Sequence, residues 1–478
     1  MSFTSFHFLI FFPLVVLLYN IIPQKWRKLF LLVASYAFYI NMQPVYALLL
    51  AGVTVVTYMF AKGIDKANTD EKKHRLEVLG IVIVLVPLFF YKYFNFVNES
   101  VMTLLGSVGL HVSLPTIELM LPVGISFYTF MSISYLVDLY NEEVDFETDF
   151  FSTALYLSFF PIVLSGPIER AGNMFPQFKN LKRSTYECLV AGLKLMLWGY
   201  FMKLCVADRL GIYIDAVYGN IAHHNGTTLG FTALLYPFRV YADFAGYSLI
   251  AMGVGKCMGI SIMENFHRPF FATSVSDFWQ RWHISLIKWL TDYIYTPLSF
   301  ILRKWQIGGI MVALMVTFIV SGVWHGAAWT FIFWGVFNGV FLSIEALFQK
   351  QRTQVENKYR LKSKWWYTLI CCLFVYLIFA FSQIFGRCDS IGQAFEVIGK
   401  IFGDHGSLFL DNHTFFLLLP CFIIMAYKDF RDEFMSRTPI VGFKANSIVG
   451  RYISYLLISF MILAFGVLNS NQFIYFKF

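Results

Sequence analysis

Charge is scarce in this chain. Only 14% of its 478 residues are Asp, Glu, Lys or Arg, against roughly 25% in an ordinary soluble domain. With 58% hydrophobic residues and 54 phenylalanines, so little charge excludes disorder, a coiled coil, a collagen-like repeat and a nucleic-acid-binding domain. Cysteine occurs seven times with no CxxC and no metal-ligand spacing, so neither a disulfide framework nor a metal site is expected. Cys371 and Cys372 fall inside an apolar run, as lipid-facing or core thiols. There is no Walker loop, no GxSxG elbow and no HExxH. Intramembrane carboxylates are few, with Asp243 the main one, where an ion-coupled transporter normally shows more. No internal repeat or low-complexity tract is visible. A chain this large and this apolar is a polytopic membrane protein.

Apolar runs fill it from end to end. The first, FHFLIFFPLVVLLYNIIP, has no basic region before it and no small-residue cleavage site after it, so it is expected to be a retained span. Others lie near 29–41, 45–61, 78–96, 119–137, 186–204, 309–325, 327–347, 367–386, 412–427 and 452–469. Several are shorter than the ~20 residues of a straight crossing, so tilt or kinks are expected. The net charge of +8 is concentrated in loops. PQKWRK at 23–28, residues 350–364, and the stretches 62–75, 263–304 and 428–451 carry Lys and Arg and are placed in the cytoplasm. The basic-poor stretches 97–118, 210–227 and 388–413 are placed outside, as are both termini. Residues 227–262 do not fit this count. Pro237, Arg239, Asp243 and Gly246 interrupt them, and a broken or re-entrant segment lining a polar cavity is expected there. Residues 152–164, between two loops placed in the cytoplasm, are expected to dip in and return.

Two histidines stand out. His325 lies in IVSGVWHGAAWTFIFWG, within about forty uncharged residues that begin and end at cytoplasmic loops. The run 308–347 is therefore a helical hairpin. At ~1.5 Å per residue, His325 sits about 27 Å along its first helix, with Gly322 and Gly326 allowing close backbone approach. An ionisable group at that depth faces a cavity or a partner, and neutral imidazole suits a general base. The plain alternative is a hydrogen bond to a neighbouring helix. His283 lies in SDFWQRWHISLIKWL, nearer the cytoplasmic face, 42 positions before His325. The plain alternative there is an amphipathic helix with Phe278, Trp279, Trp282 and Trp289 lying in the membrane interface. His223 and His224 read as a solvated outer loop, with metal binding as the sharper option. His267, His405 and His413 lie in or beside loops and carry no spacing signal.

The segments RWHISL, VWHGAAWTFIFWGVFNG, LSGPIERAGNMFPQF and YADFAGYSLIAMG resemble the membrane-bound O-acyltransferases. The likeness is strongest to their bacterial branch of alginate and peptidoglycan O-acetyltransferases and teichoic acid D-alanyl transfer proteins. The resemblance implies an all-α polytopic membrane protein: a helical ring around a central tunnel, with re-entrant or broken helices, forming a single domain over residues 1–478. It implies His325 as the catalytic histidine and His283 as the second, more cytoplasmic one. The chain ends NQFIYFKF. On pattern alone residues 471–478 form an interfacial aromatic belt. The resemblance makes them an acyl-accepting tail with Tyr475 carrying the acyl group.

The mechanism expected from the resemblance uses acetyl-CoA as a cytosolic donor and no bound cofactor. The donor threads past His283 and the donor-binding residues Trp279, Trp282 and Trp324. His325 acts as general base on a hydroxyl that attacks the thioester. The acyl group leaves on the outer face of a bacterial inner membrane through an SGNH-type transferase, for O-acetylation of an exported polysaccharide. Within the same family D-alanyl transfer to teichoic acid is the alternative. Outside it, the alternatives are a transporter or lipid flippase gated by the broken 227–262 segment, and a scaffold without chemistry.

Overall fold

We describe a computed structural model of the chain, covering residues 1–110, 113, 115–117, 120–435 and 448–468. Those residues form helices and no strand. The helices are α1 (Phe6–Ile21), α2 (Gln24–Ile40), α3 (Tyr46–Asp65), α4 (Asp70–Leu88), α5 (Phe94–Ser107), α6 (Ile125–Tyr140), α7 (Phe150–Ser158), α8 (Ala171–Lys179), α9 (Tyr186–Tyr200) and α10 (Asp208–Tyr218). There follow α11 (Gly226–Cys257), α12 (Val275–Arg281), α13 (Ile284–Leu290), α14 (Thr296–Ile301), α15 (Ile307–His325), α16 (Trp329–Lys358), α17 (Trp365–Arg387), α18 (Ile391–Gly403), α19 (Asn412–Phe434) and α20 (Ile448–Phe465). Short π turns at Phe89–Tyr93 and Phe201–Ala207 carry α4 into α5 and α9 into α10. Counted that way, eight helices among the described residues are long and apolar enough to cross a membrane: α3, α4–α5, α9–α10, α15, α16, α17, α19 and α20. Large apolar side chains on them stand outward, Leu48 at 78% and Leu456 at 70% exposure. In water such surface is a liability; in hydrocarbon it is solvated. The chain is a multi-pass membrane protein.

Three expected spans have another character. α1 and α2 are helical with 16 and 17 residues, short for a straight crossing. The run near 119–137 becomes α6, which starts only at Ile125 and buries every residue except Ser126, Val137 and Tyr140. A helix buried on all sides packs against protein, so α6 is a core helix.

The chain divides into two compact units, residues 1–193 with 251–263, and residues 194–250 with 264–478. In the first unit, Phe8, Phe38 and Phe160 pack ring against ring. Residues 152–164 are the rest of α7 followed by an irregular, fully buried stretch, 159–165. Its backbone is satisfied locally, with Val163 N donating to Phe159 O (3.0 Å), and by Ser35 Oγ, which accepts from Phe160 N (3.1 Å). Non-helical backbone at membrane depth is tolerated when buried in protein in this way. Further on, the Glu169 carboxylate accepts from Asn173 Nδ2 (2.8 Å) and Met263 N (2.5 Å).

The expectation for 227–262 fails. Instead of a break, α11 runs unbroken for 32 residues with Pro237 inside it. The polar residues that suggested a break are paired with remote partners. Arg239 donates two bonds to Asp215 (2.7 and 3.0 Å), which also accepts from Arg387 (3.0 Å). Asp243 pairs with Lys203 at 2.6 Å, and Lys203 also meets Asp208 at 2.7 Å. Tyr376 Oη donates to the Leu234 carbonyl, close to the backbone Pro237 leaves without an N–H partner. Gly246 lets α11 approach the Gly199 carbonyl, where a Cβ would overlap. With its charges neutralised and its proline flanked by a donor, the helix has no reason to open.

Candidate active site

The stretch around His283, whose plain alternative was an amphipathic interfacial helix with Phe278, Trp279, Trp282 and Trp289, is a chain of short helices with these aromatic residues buried. Its first helix, α12, is fixed at the N-terminus twice over. Ser274 Oγ accepts from Asp277 N (3.0 Å) while the Asp277 carboxylate accepts from Thr273 N (3.0 Å), a reciprocal cap. The Glu345 carboxylate of α16 accepts from Val275 N (2.7 Å) and Ser276 N (3.1 Å), placing negative charge at the helix N-terminus. At the other end Arg281 donates to Asp277 (2.8 Å) and to Glu433 of α19 (2.9 Å).

α12 therefore presents Phe278 and Trp279 to the core in a set orientation, and both are buried. The helix stops at Trp282 because the next residue turns over: His283 has φ +45°. For a residue with a Cβ that left-handed conformation costs on the order of 1–2 kcal/mol. It is held by Asn265, whose carbonyl accepts from Ile284 N (2.9 Å) and whose Oδ1 meets His283 Nδ1 (3.1 Å). His283 is 1% exposed. Its ring packs edge-on to Phe244 (4.6 Å between centroids) and Trp324 (5.8 Å), and stacks on Phe266 (6.3 Å). Burial pushes its imidazole well below the usual histidine range, and the nearby His325 charge pushes the same way.

His325 is the last residue of α15. Residues 308–347 do form the expected hairpin, with Gly326, Ala327 and Ala328 as its turn. Nineteen helical residues, about 28 Å at ~1.5 Å each, separate its tip from the basic end at Arg303 and Lys304. The two helices pack at backbone contact. A Cβ at Gly322 would overlap the Phe331 carbonyl, and one at Gly335 the Phe318 carbonyl. This closeness brings Trp324 of α15 and Trp334 of α16 to the His325 ring, each at 5.0 Å and nearly perpendicular.

The two histidines and the three sequence-named tryptophans thus fall in one aromatic chain. Trp324 touches both imidazoles. Trp334 continues from His325 to Trp279 (5.7 Å), and Trp279 meets Phe318 (5.0 Å). Trp282 packs on Phe266 (5.1 Å), which in turn stacks on His283. Tyr475, the remaining predicted site residue, lies outside the described residues. Among the described residues no group of three or more His, Cys, Asp or Glu is placed to hold a metal ion, and all seven cysteines are free thiols.

Sequence reasoning missed four participants. Asn265 and Ser285, which hold His283, follow no spacing rule. Trp334 carried a signal, being one of three tryptophans at 324, 329 and 334 around the hairpin turn, but reads from hydropathy only as apolar. Ser321 lies one turn before His325 on the same helix face, and its buried hydroxyl has no hydrogen-bond partner among the described residues.

A histidine at a hairpin tip, coupled through an indole to a second buried histidine inside an apolar shell, can carry out proton transfer with water excluded. The sequence profile described as MBOAT, membrane-bound O-acyltransferase family, matches residues 6–384. The protein named "Probable alginate O-acetylase AlgI" of Pseudomonas putida is 32% identical over the whole of both chains. The peptidoglycan O-acetyltransferase of Helicobacter pylori is 30% identical, covering 79% of this chain and 74% of its own. The teichoic acid D-alanyltransferase of Bacillus subtilis is more distant, 26% identical over 64% of this chain and 77% of its own. The chain belongs to the membrane-bound O-acyltransferase family and is a multi-pass membrane acyltransferase.

Proposed function

We propose that the protein transfers an acetyl group from acetyl-CoA, across a bacterial inner membrane, for O-acetylation of an exported polysaccharide or cell-wall glycan. The observation that carries the reading is His325 seated between Trp324 and Trp334 at the tip of the α15–α16 hairpin. The relatives named for alginate and peptidoglycan O-acetylation match this chain more fully than the D-alanyl one. The transport alternative leaned on a gate at 227–262, and α11 has no break there.

In the proposed reaction the donor's pantetheine arm enters along the Trp279, Trp282 and Trp324 indoles. The Trp279 indole N–H is buried and has no partner among the described residues, so an amide carbonyl of that arm would satisfy it. His325 takes the proton from an acceptor hydroxyl as its oxygen attacks the thioester carbonyl. A C–O bond forms, the C–S bond breaks, and the proton passes from His325 to the departing thiolate. The Ser321 hydroxyl is a candidate donor to the oxyanion. The acceptor hydroxyl we assign is Tyr475, from which the acetyl group passes to an extracytoplasmic SGNH-type transferase and on to the glycan.

The test is the mass of the C-terminal peptide after the purified protein meets acetyl-CoA. The reading expects one added acetyl group on the fragment carrying Tyr475, absent in Y475F and in H325A. An unmodified fragment alongside normal glycan acetylation sinks the tail's role. Modification by a D-alanyl carrier-protein thioester, and not by acetyl-CoA, moves the assignment to the alternative donor.

A further inference from the structure

Asn265 is 1% exposed, and its side chain meets three neighbours, Ser285, His283 and Ser248. Its Oδ1 accepts from Ser285 N (3.1 Å) and Ser285 Oγ (2.9 Å), and the same oxygen lies 3.1 Å from His283 Nδ1. Its Nδ2 donates to Ser248 Oγ of α11 (3.2 Å).

This set removes the usual ambiguity of an asparagine amide. The Ser285 backbone N–H can only donate, so the atom facing it is the oxygen, and the side chain cannot be flipped without setting donor against donor. An amide oxygen can only accept. The short contact to His283 is therefore attractive only when Nδ1 carries the proton. Neutral imidazole has a single N–H, which leaves the lone pair on Nε2. That nitrogen is buried from solvent, on a ring enclosed by Phe244, Phe266 and Trp324.

We infer that Asn265 is a positioning residue that fixes His283 as its Nδ1–H tautomer and presents Nε2 as a hydrogen-bond acceptor within the aromatic enclosure. His283 in its neutral form then cannot donate to a developing oxyanion. It accepts, from the acceptor hydroxyl, the departing thiol or an N–H of His325. This divides the labour between the two histidines: His325 moves the proton, and His283 orients the group that bears it. The tautomer stands on geometry alone; the division of labour rests on the acyl-transfer reading.

The experiment has one arm for each. In protein labelled with 15N-histidine and held in lipid nanodiscs, the His283 resonances are identified by their absence in H283Q. The expected wild-type pattern is a protonated Nδ1 and an unprotonated Nε2, with N265A giving a mixture of tautomers. A wild-type ring protonated on Nε2, or an N265A ring unchanged from wild type, overturns the inference. If N265A does not fold, the wild-type spectrum, assigned against H283Q, alone decides it.

The kinetic arm uses N265D, which keeps both acceptor contacts but puts a carboxylate beside the ring. A carboxylate partner raises a histidine pKa by roughly 1–3 units. The low-pH limb of acyl transfer should therefore move to higher pH by a unit or more, with activity recovering above it, while N265A loses about tenfold at every pH. If N265D keeps the Nδ1–H tautomer yet leaves the pH profile where it was, the tautomer stands and the role of His283 in acyl transfer falls.

Discussion

Two buried polar regions in the second unit invite comparison. In one, charges answer each other: Lys203 sits between Asp208 and Asp243, and Asp215 holds Arg239 and Arg387. In the other, His283 and His325 are ringed by Trp324, Trp334 and Phe244, and the Trp279 N–H and Ser321 O–H beside them find no partner among the described residues. Both regions hold ionisable groups in an apolar surrounding, yet in the first opposite charges neutralise one another, while the second keeps the Trp279 and Ser321 donors in reserve. An intramembrane charge is therefore not in itself a mark of chemistry. The mark is polarity that the fold has positioned and then left for another molecule to use.

The comparison is most sharply tested by deleting the central group of each region. H325A should lower acyl transfer by about 10³-fold, the range of a lost general base, with expression and thermal midpoint within error of wild type. K203M should do the reverse. It leaves two carboxylates buried without their counter-ion, a loss of roughly 3–5 kcal/mol, read as a fall in thermal midpoint or in folded yield. Whatever protein survives should turn over within a few-fold of normal. The triple variant K203M/D208N/D243N should recover most of the stability. If H325A unfolds the protein, or K203M abolishes chemistry in protein that remains folded, the two regions are not distinct in kind.

Between these lies the hairpin itself. G322A forces a methyl against the Phe331 carbonyl, and overpacking of this sort costs about 1–3 kcal/mol. Spreading the two helices moves His325 away from Trp334, so acyl transfer should fall by roughly 10–100-fold while the protein stays folded, since misplacement by an ångström is enough for such a loss. An alanine outside the close contact, at Gly308, should change neither activity nor midpoint. Equal activity in G322A and wild type would show that the tryptophan contacts at His325 do not matter to the reaction.

The two regions also differ in how legible they were. Low charge and long apolar runs announce an all-helical membrane protein, and the apolar run 308–347 gives both the hairpin and the place of His325, because all of that information is local. The ion-paired region looks from sequence like a break. Arg239 and Asp243 look unaffordable in isolation, and their partners Asp215, Arg387, Lys203 and Asp208 lie elsewhere in the chain with no periodicity to connect them. α6 reads as an ordinary span because hydropathy does not distinguish burial in lipid from burial in protein. His283 was found by its neighbours, but its setting in two short helices with a left-handed hinge depends on Asn265 and Glu345, eighteen and sixty-two positions away in number, contacts that only tertiary structure supplies.

The smallest effect is the most discriminating, since it concerns one hydroxyl. Ser321 is 1% exposed and lies one helical turn before His325. A buried hydroxyl without a partner contributes nothing to stability, and removing it is neutral or slightly stabilising. S321A should therefore leave the thermal midpoint unchanged or raise it by a degree or so. If the hydroxyl donates to the oxyanion, the same change removes about 1 kcal/mol of stabilisation that exists only in the transition state, a fall of about fivefold in kcat with KM for the donor unaltered. S321T should restore part of it, because the hydroxyl returns. A loss of stability with no loss of rate would mean that the serine belongs with Lys203 and Arg239, among the groups the fold uses for itself.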